Sequence, residues 1–347
     1  MDVAEFDFLL PPELIAQSPP PERGDSRLLV LERRSGAITH TRVSELPSWL
    51  QRGDLLVVND TRVFPARLYG HRVPSGGRVE CLLLRRVDGE RWEALVHPGQ
   101  KLGPGARVAF GDSSELHGEV LERRYHGRRL LRLWAEGGRD VMEVVERVGS
   151  TPLPPYIKRP AHLADRERYQ TVYARATGSV AAPTAGLHLT AGLLEALRNA
   201  GVGRAAITLH IGYGTFKPVR TGRVEDHVVD EEPFEVGEEA VSAIDAARDE
   251  GRRLVAVGTT TARALESAAR LGGGRVAAVS GMADLFIYPG FSFRATGALL
   301  TNFHLPRSSL LMLVCAFGGR TLVLEAYRQA VARRYRFYSY GDAMLIV

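Results

Sequence analysis

Between about residues 66 and 149 the chain is a succession of short extended runs, each closed by a turn signal, and this stretch constrains the fold most. The runs are ARLYGHRV, GRVECLLLRRV, RWEALVH, ARVAF, ELHGEVLERR and RRLLRLWA. Pro74-Ser75-Gly76-Gly77, Asp88-Gly89, Gly103-Pro104-Gly105, Gly111-Asp112 and His126-Gly127 separate them. Short strands at such even spacing hide their edges best by closing on themselves, so the pattern predicts a small antiparallel β-barrel. A helix, DVMEVVERV, and the proline loop TPLPPYIKRP end the segment.

Beyond that loop the rhythm changes to alternating strands and helices. TAGLLEALRNAG reads as a helix with Thr190 as N-cap and Gly201 just past its end. RAAITLHIG and RLVAVG read as strands, and GEEAVSAIDAARDEG and TTTARALESAARLGG as helices. Two more helices are predicted around SSLLMLVCAF and TLVLEAYRQAVARRY. Before the barrel segment, RLLVLE and AITHTRV flank a turn as a hairpin, SELPSWL is a short helix, and DLLVVN is a buried strand. The expected architecture is a mainly parallel, barrel-like α/β domain (1–65 plus 150–347) interrupted by a β-barrel insert (66–149). A length of 347 residues suits two domains.

A net charge of +5 and a pI near 9.3 favour a polyanionic partner. Only Lys101, Lys158 and Lys217 among the 45 cationic residues are lysine. Arginine suits phosphate contacts, although codon usage in a GC-rich genome gives the same excess. Cys81 and Cys315 lie in apolar runs without metal-ligand neighbours, as buried thiols do. The N-terminus lacks a basic, signal-like region, and the longest apolar run, Leu310 to Phe317, is far short of the ~20 residues of a membrane span. A cytoplasmic protein without membrane attachment is expected. Scattered histidines without HxxxH or HExxH predict no metal site.

Four segments place polar groups where an α/β sheet presents ligands, at the carboxyl ends of strands. Asn59-Asp60-Thr61-Arg62 follows DLLVV; the plain alternative is an Asx-turn. Ser179 to Thr190 is a loop of small residues with Thr184, Gly186 and His188; the alternative is a hydrogen-bonded loop histidine. Thr208 to Pro218 ends a strand at His210, then frames Tyr213 between Gly212 and Gly214, with Thr215 and Phe216 next. Thr259, Thr260 and Thr261 open a helix whose free amides can hold a carboxylate or phosphate, unless they simply cap it. Asn302 and His304 add a polar pair, and the acidic run Asp230-Glu231-Glu232 reads as a solvated face.

Taken in order, FDFLLPPELIAQ, GDLLVVNDTRVFPARL, RYQTVYA, GSVAAPTAGLHLT, TLHIGYGTFKPV, GTTTARALE, DLFIYPGFSF, TNFHLPRSSLLMLV and YRFYSYGDAMLI span nearly the whole chain. In them the sequence resembles the S-adenosylmethionine:tRNA ribosyltransferase-isomerase family of queuosine biosynthesis. Leu189 stands where the family usually has Phe, and Val229 and Asp230 replace a Met and a second His, while Glu232 keeps the acid. His227 and Glu232 are therefore set aside as site residues.

The resemblance implies an α/β domain with an inserted barrel and a transferase acting on tRNA that carries 7-aminomethyl-7-deazaguanine at the wobble position. S-adenosylmethionine serves as ribosyl donor, adenine and methionine leave, and no bound cofactor or metal is needed. A monomer is expected. The chemistry asks for a base at the 5′ carbon beside the sulfonium, an acid for adenine and a neutral attacking amine. His188, His210 and Asp60 are the expected catalytic groups. Tyr213 and Phe216 are expected at the sulfonium, and Arg62 or Arg263 at the methionine carboxylate. Tyr169 and Tyr173, with Gln170 and Thr171 between them, are expected against a splayed base. Two rivals are a non-catalytic RNA-binding protein and a methyltransferase. The second lacks support because no glycine-rich loop follows a first strand.

Overall fold

The computed structural model describes residues 1–347, the side chains of His126 and Phe216 excepted. Its largest element is an open nine-stranded sheet built around Leu55–Asn59, whose five residues are all buried. Leu55 and Val57 enter one core, Leu56 and Val58 the other, so a continuous apolar run is what a strand covered on both faces requires. Gly203–Leu209, Leu55–Asn59, Leu254–Val257 and Ala298–Asn302 lie side by side and parallel. Antiparallel strands extend both wings: Glu232–Val236 and Val279–Ala283 on one side, Ala343–Ile346 on the other. Ala343–Ile346 pairs in parallel with Arg27–Leu31, which forms the expected hairpin with Ile38–Arg42. The sheet is thus α/β as expected, open rather than barrel-like, and parallel through its centre.

The insert is a closed, wholly antiparallel barrel of Arg67–Val73, Arg78–Asp88, Arg91–His97, Arg107–Phe110, Leu116–Arg123 and Arg128–Ala135. Cys81, Leu83, Phe110, Leu131 and Leu133 fill it. Gly70 is fixed by close strand approach, since a Cβ there would lie 2.0 Å from the Ala109 carbonyl oxygen. Asp140 caps the helix Val141–Val148, whose Val144 and Val145 join the barrel core. Backbone bonds between Arg67 and Ser150 hold the chain's exit from the sheet beside its return.

No single helix among the described residues is long and apolar enough to cross a membrane. Helix Thr259–Leu271 is buried along nearly its whole length, and Gly258 turns the chain into it at φ +95°. That conformation suits glycine.

Candidate functional site

The four parallel strands end together at Leu209, Asn59, Val257 and Asn302, and Asn59 joins two of them where the ladder stops. Its Nδ2 donates to the Leu209 carbonyl (2.9 Å), while Oδ1 accepts from the Leu209 and Thr61 amides (3.0 and 3.1 Å). Above these ends lies a cleft of two adjoining chambers. The inner, of about 40 Å³, is lined by Thr184, Thr259, Thr260, Thr301, Asn302, His304 and Tyr338, among others. The outer, of about 590 Å³, is lined by Gly214, Lys217, His227, Asp230, Glu232, Arg263 and Phe286, among others. Thr215 and Leu310 border both.

Asn302 is the polar anchor of the inner chamber. Its Nδ2 donates to the Tyr338 carbonyl (2.9 Å) and lies 3.2 Å from His188 Nε2. His188 therefore accepts there as a neutral ring, with burial pushing its pKa down to about 4. It sits behind Asn302, beside Arg23 and Tyr340, and lines neither chamber. His188, expected as a catalytic group, thus meets the chamber through Asn302 rather than lining it. His304 does line the inner chamber, bonded to Thr301 Oγ1 (2.9 Å), and burial lowers its pKa to about 3.

The His188 geometry has a measurable consequence. Its folded-state pKa is depressed below the ordinary 6.5, so its neutral form supports the fold fully above pH 6.5. That support is lost as pH falls from 6.5 towards 4, because the unfolded chain takes up the proton first. Unfolding free energy in urea should drop by up to about 1.4 kcal/mol per pH unit in that window from this residue. His188→Gln should remove that share of the slope, and an unchanged slope would refute the assignment.

Glu232 organises the outer chamber. Oε1 accepts from the Gly212 amide (2.8 Å) and Thr215 Oγ1 (3.1 Å), and Oε2 from Arg263 Nη1 (2.6 Å). Arg263 also donates from Nη2 to the Ala283 carbonyl and from Nε to the Leu285 carbonyl, and it lines the outer chamber. The solvated-face expectation for the acidic run holds for Glu231 alone: Glu232 is 2% exposed, and Asp230 bonds Lys217 (2.8 and 2.9 Å) and the barrel's Arg128 (2.6 Å). His227 packs edge-on against Phe286, and burial holds its pKa low against the opposing Asp230.

The other expected residues lie elsewhere. Asp60 accepts from Thr208 Oγ1 (2.6 Å) and Arg175, and His210 Nδ1 meets Thr61 Oγ1 (2.8 Å); neither lines a chamber. Burial lowers the His210 pKa, with Asp60 opposing. Arg62 is exposed on Thr61–Val63 and borders neither chamber. Tyr169 is fully buried, edge-on to Tyr340, which leaves no ring face for a base. Gln170 grips both backbone groups of Val63 (3.0 and 2.6 Å). Thr171 and Tyr173 press against Gly186 beneath the turn Thr184–His188. Tyr213 packs on the barrel core and borders a groove with the proline loop. The Phe216 side chain lies outside the described residues. Tyr156, Tyr338 and Ser339 of the inner chamber were missed, although YSYG signalled a polar turn before an apolar strand. Among the described residues no three His, Cys, Asp or Glu side chains gather as a metal site.

Residues 3–346 match the family described as queuosine biosynthesis protein. The chain is 50% identical over 347 residues to the S-adenosylmethionine:tRNA ribosyltransferase-isomerase of Halothermothrix orenii, with both chains fully covered. It is 52% identical over 348 residues to that of Symbiobacterium thermophilum, again with full coverage of both. The crystal structure of S-adenosylmethionine tRNA ribosyltransferase from Thermotoga maritima superposes with a TM-score of 0.56 at 39% identity, over 99% of this chain and 100% of that one. On this footing the chain belongs to the queuosine biosynthesis family and is an S-adenosylmethionine:tRNA ribosyltransferase-isomerase.

Proposed function

We propose that the two-chambered cleft transfers and rearranges the ribosyl group of S-adenosylmethionine onto 7-aminomethyl-7-deazaguanine at the tRNA wobble position, giving epoxyqueuosine and releasing adenine and methionine. The observation that carries this reading is the full-length family match, joined to a cleft at the carboxyl ends of four parallel strands. The outer chamber, at about 590 Å³, is within the range of pockets that enclose a nucleoside-sized ligand.

His304 and His227 are the cleft's two imidazoles, and burial keeps both neutral near pH 7. We assign His304 a hydrogen-bonding role as a neutral ring, because a base with a pKa of about 3 is too weak to take the proton on the 5′ carbon. His227 takes the proton that frees the substrate amine to attack. Asp230, held as a carboxylate by Lys217 and Arg128 against the opposing effect of burial, orients that amine. His210 and Asp60 hold the strand ends on which the cleft rests.

Incubation with S-adenosylmethionine and precursor-bearing tRNA should release adenine and methionine in step with tRNA ribosylation, and a chelator should leave the rate unchanged. S-adenosylhomocysteine as product would make the protein a methyltransferase. No turnover would leave an RNA-binding protein.

A further inference from the structure

Resting on the S-adenosylmethionine reading above, we propose that the inner chamber is a head-group site for an α-amino acid. Its carboxylate sits on the first amides of helix Thr259–Leu271 and its ammonium on Asn302 Oδ1. The helix begins at Gly258 without a side-chain cap. The Thr261 hydroxyl is turned back to the Val257 carbonyl (2.7 Å), and Thr260 Oγ1 receives Asn59 Nδ2 (3.4 Å). Among the described residues no group accepts from the Thr259, Thr260 and Thr261 amides. A thirteen-residue helix therefore presents its positive end, uncovered, to the chamber.

The second observation is independent of the helix. Asn302 is 2% exposed, and its Oδ1 is buried without a hydrogen-bond partner. Its orientation is fixed, because a carbonyl cannot donate: Nδ2 must face the Tyr338 oxygen, which leaves Oδ1 turned away from it. A buried acceptor left unpaired is costly, so a ligand that brings an N–H there satisfies it. Donors for an anion thus stand beside an acceptor for a cation.

Size and charge select the ligand class. About 40 Å³ admits only a few heavy atoms, so the rest of the molecule passes Thr215 and Leu310 into the outer chamber. The inner lining carries no charged side chain, and its one histidine is neutral. A lone phosphate would be uncompensated there, whereas a zwitterion brings both signs with it.

The test compares equilibrium binding of S-adenosylmethionine with that of its decarboxylated analogue. In the unaltered protein the analogue should bind at least tenfold more weakly. Thr259→Asp places a carboxylate at the same helix end, where it favours the helix and so keeps the fold, as a melting curve would show. That variant should lose at least tenfold in affinity for S-adenosylmethionine and none for the decarboxylated analogue. Equal binding of the two ligands by the unaltered protein would overturn the placement while leaving adenine release, and with it the enzyme reading, intact. An equal loss for both ligands in the variant would also overturn it. Failure to bind S-adenosylmethionine at all would sink both.

Discussion

Glu232→Ala should lower turnover by at least a hundredfold and the unfolding free energy by about 3–5 kcal/mol, the cost typical of a buried charge robbed of its partner. Arg263 is buried and keeps its two carbonyl partners, but its Nη1 would face no anion. The Gly212 amide and the Thr215 hydroxyl would lose their acceptor together, and Thr215 borders both chambers. Stability and activity should separate in a second variant. Glu232→Met with Arg263→Met removes both charges and leaves apolar volume, so much of the stability should return. Activity should not return, because nothing then pins Thr215. Urea titration and steady-state turnover check the two halves. Wild-type stability in Glu232→Ala would show that the pair contributes nothing, and the account of the outer chamber would fail.

Gly186→Ala should be almost as damaging. A Cβ at that position would lie 2.1 Å from the Tyr173 hydroxyl oxygen and 2.8 Å from Thr171 Cγ2. Overpacking of this kind costs roughly 1–3 kcal/mol, and a shift of about 1 Å in positioning groups can cost a hundredfold in rate. The turn Thr184–His188 carries Thr184 in the inner chamber and His188 behind Asn302, so its displacement reaches the cleft from two sides. Tyr173→Phe should partly rescue the variant, because it deletes the clashing oxygen. That oxygen has no hydrogen-bond partner, so the single change to Phe should cost little. Equal activity in Gly186→Ala with and without Tyr173→Phe would show that the contact is not what limits this turn.

Elements whose evidence is local were legible in the sequence. The barrel runs, the hairpin at Arg27–Arg42 and the helix capped by Thr190 each declare themselves by period, turn or cap within a dozen residues. Glu232–Val236 did not, because Pro233 and the acids Glu232 and Glu235 carry no strand signal until two antiparallel neighbours enclose them. The site divided along the same line. Thr259, Thr260, Asn302 and His304, singled out from their local sequence, line the inner chamber. Glu232 lies 31 positions from Arg263, and His188 lies 114 from Asn302. Nothing within either neighbourhood announces a partner so distant. His188 and His210 were expected as catalytic groups on loops at the same sheet end, but His188 meets Asn302 while His210 meets Thr61. The structure separates them by the direction their side chains take, which spacing alone does not encode.

The strand Ala343–Ile346 lies between Ala298–Asn302 and Arg27–Leu31, and Asp342 just before it binds Arg27 across 315 positions. The hairpin made first thus waits on the ribosome for a neighbour made more than three hundred residues later. The barrel has no such debt, since all its strands arrive within one uninterrupted stretch. A nascent chain should therefore display a finished barrel while its large sheet is still divided. Tyr338 and Ser339, which wall the inner chamber, emerge only a few residues ahead of the strand that closes the gap. Messages cut short near that point would yield a soluble-looking barrel attached to an unclosed sheet, a species that proteases can recognise and no substrate can use.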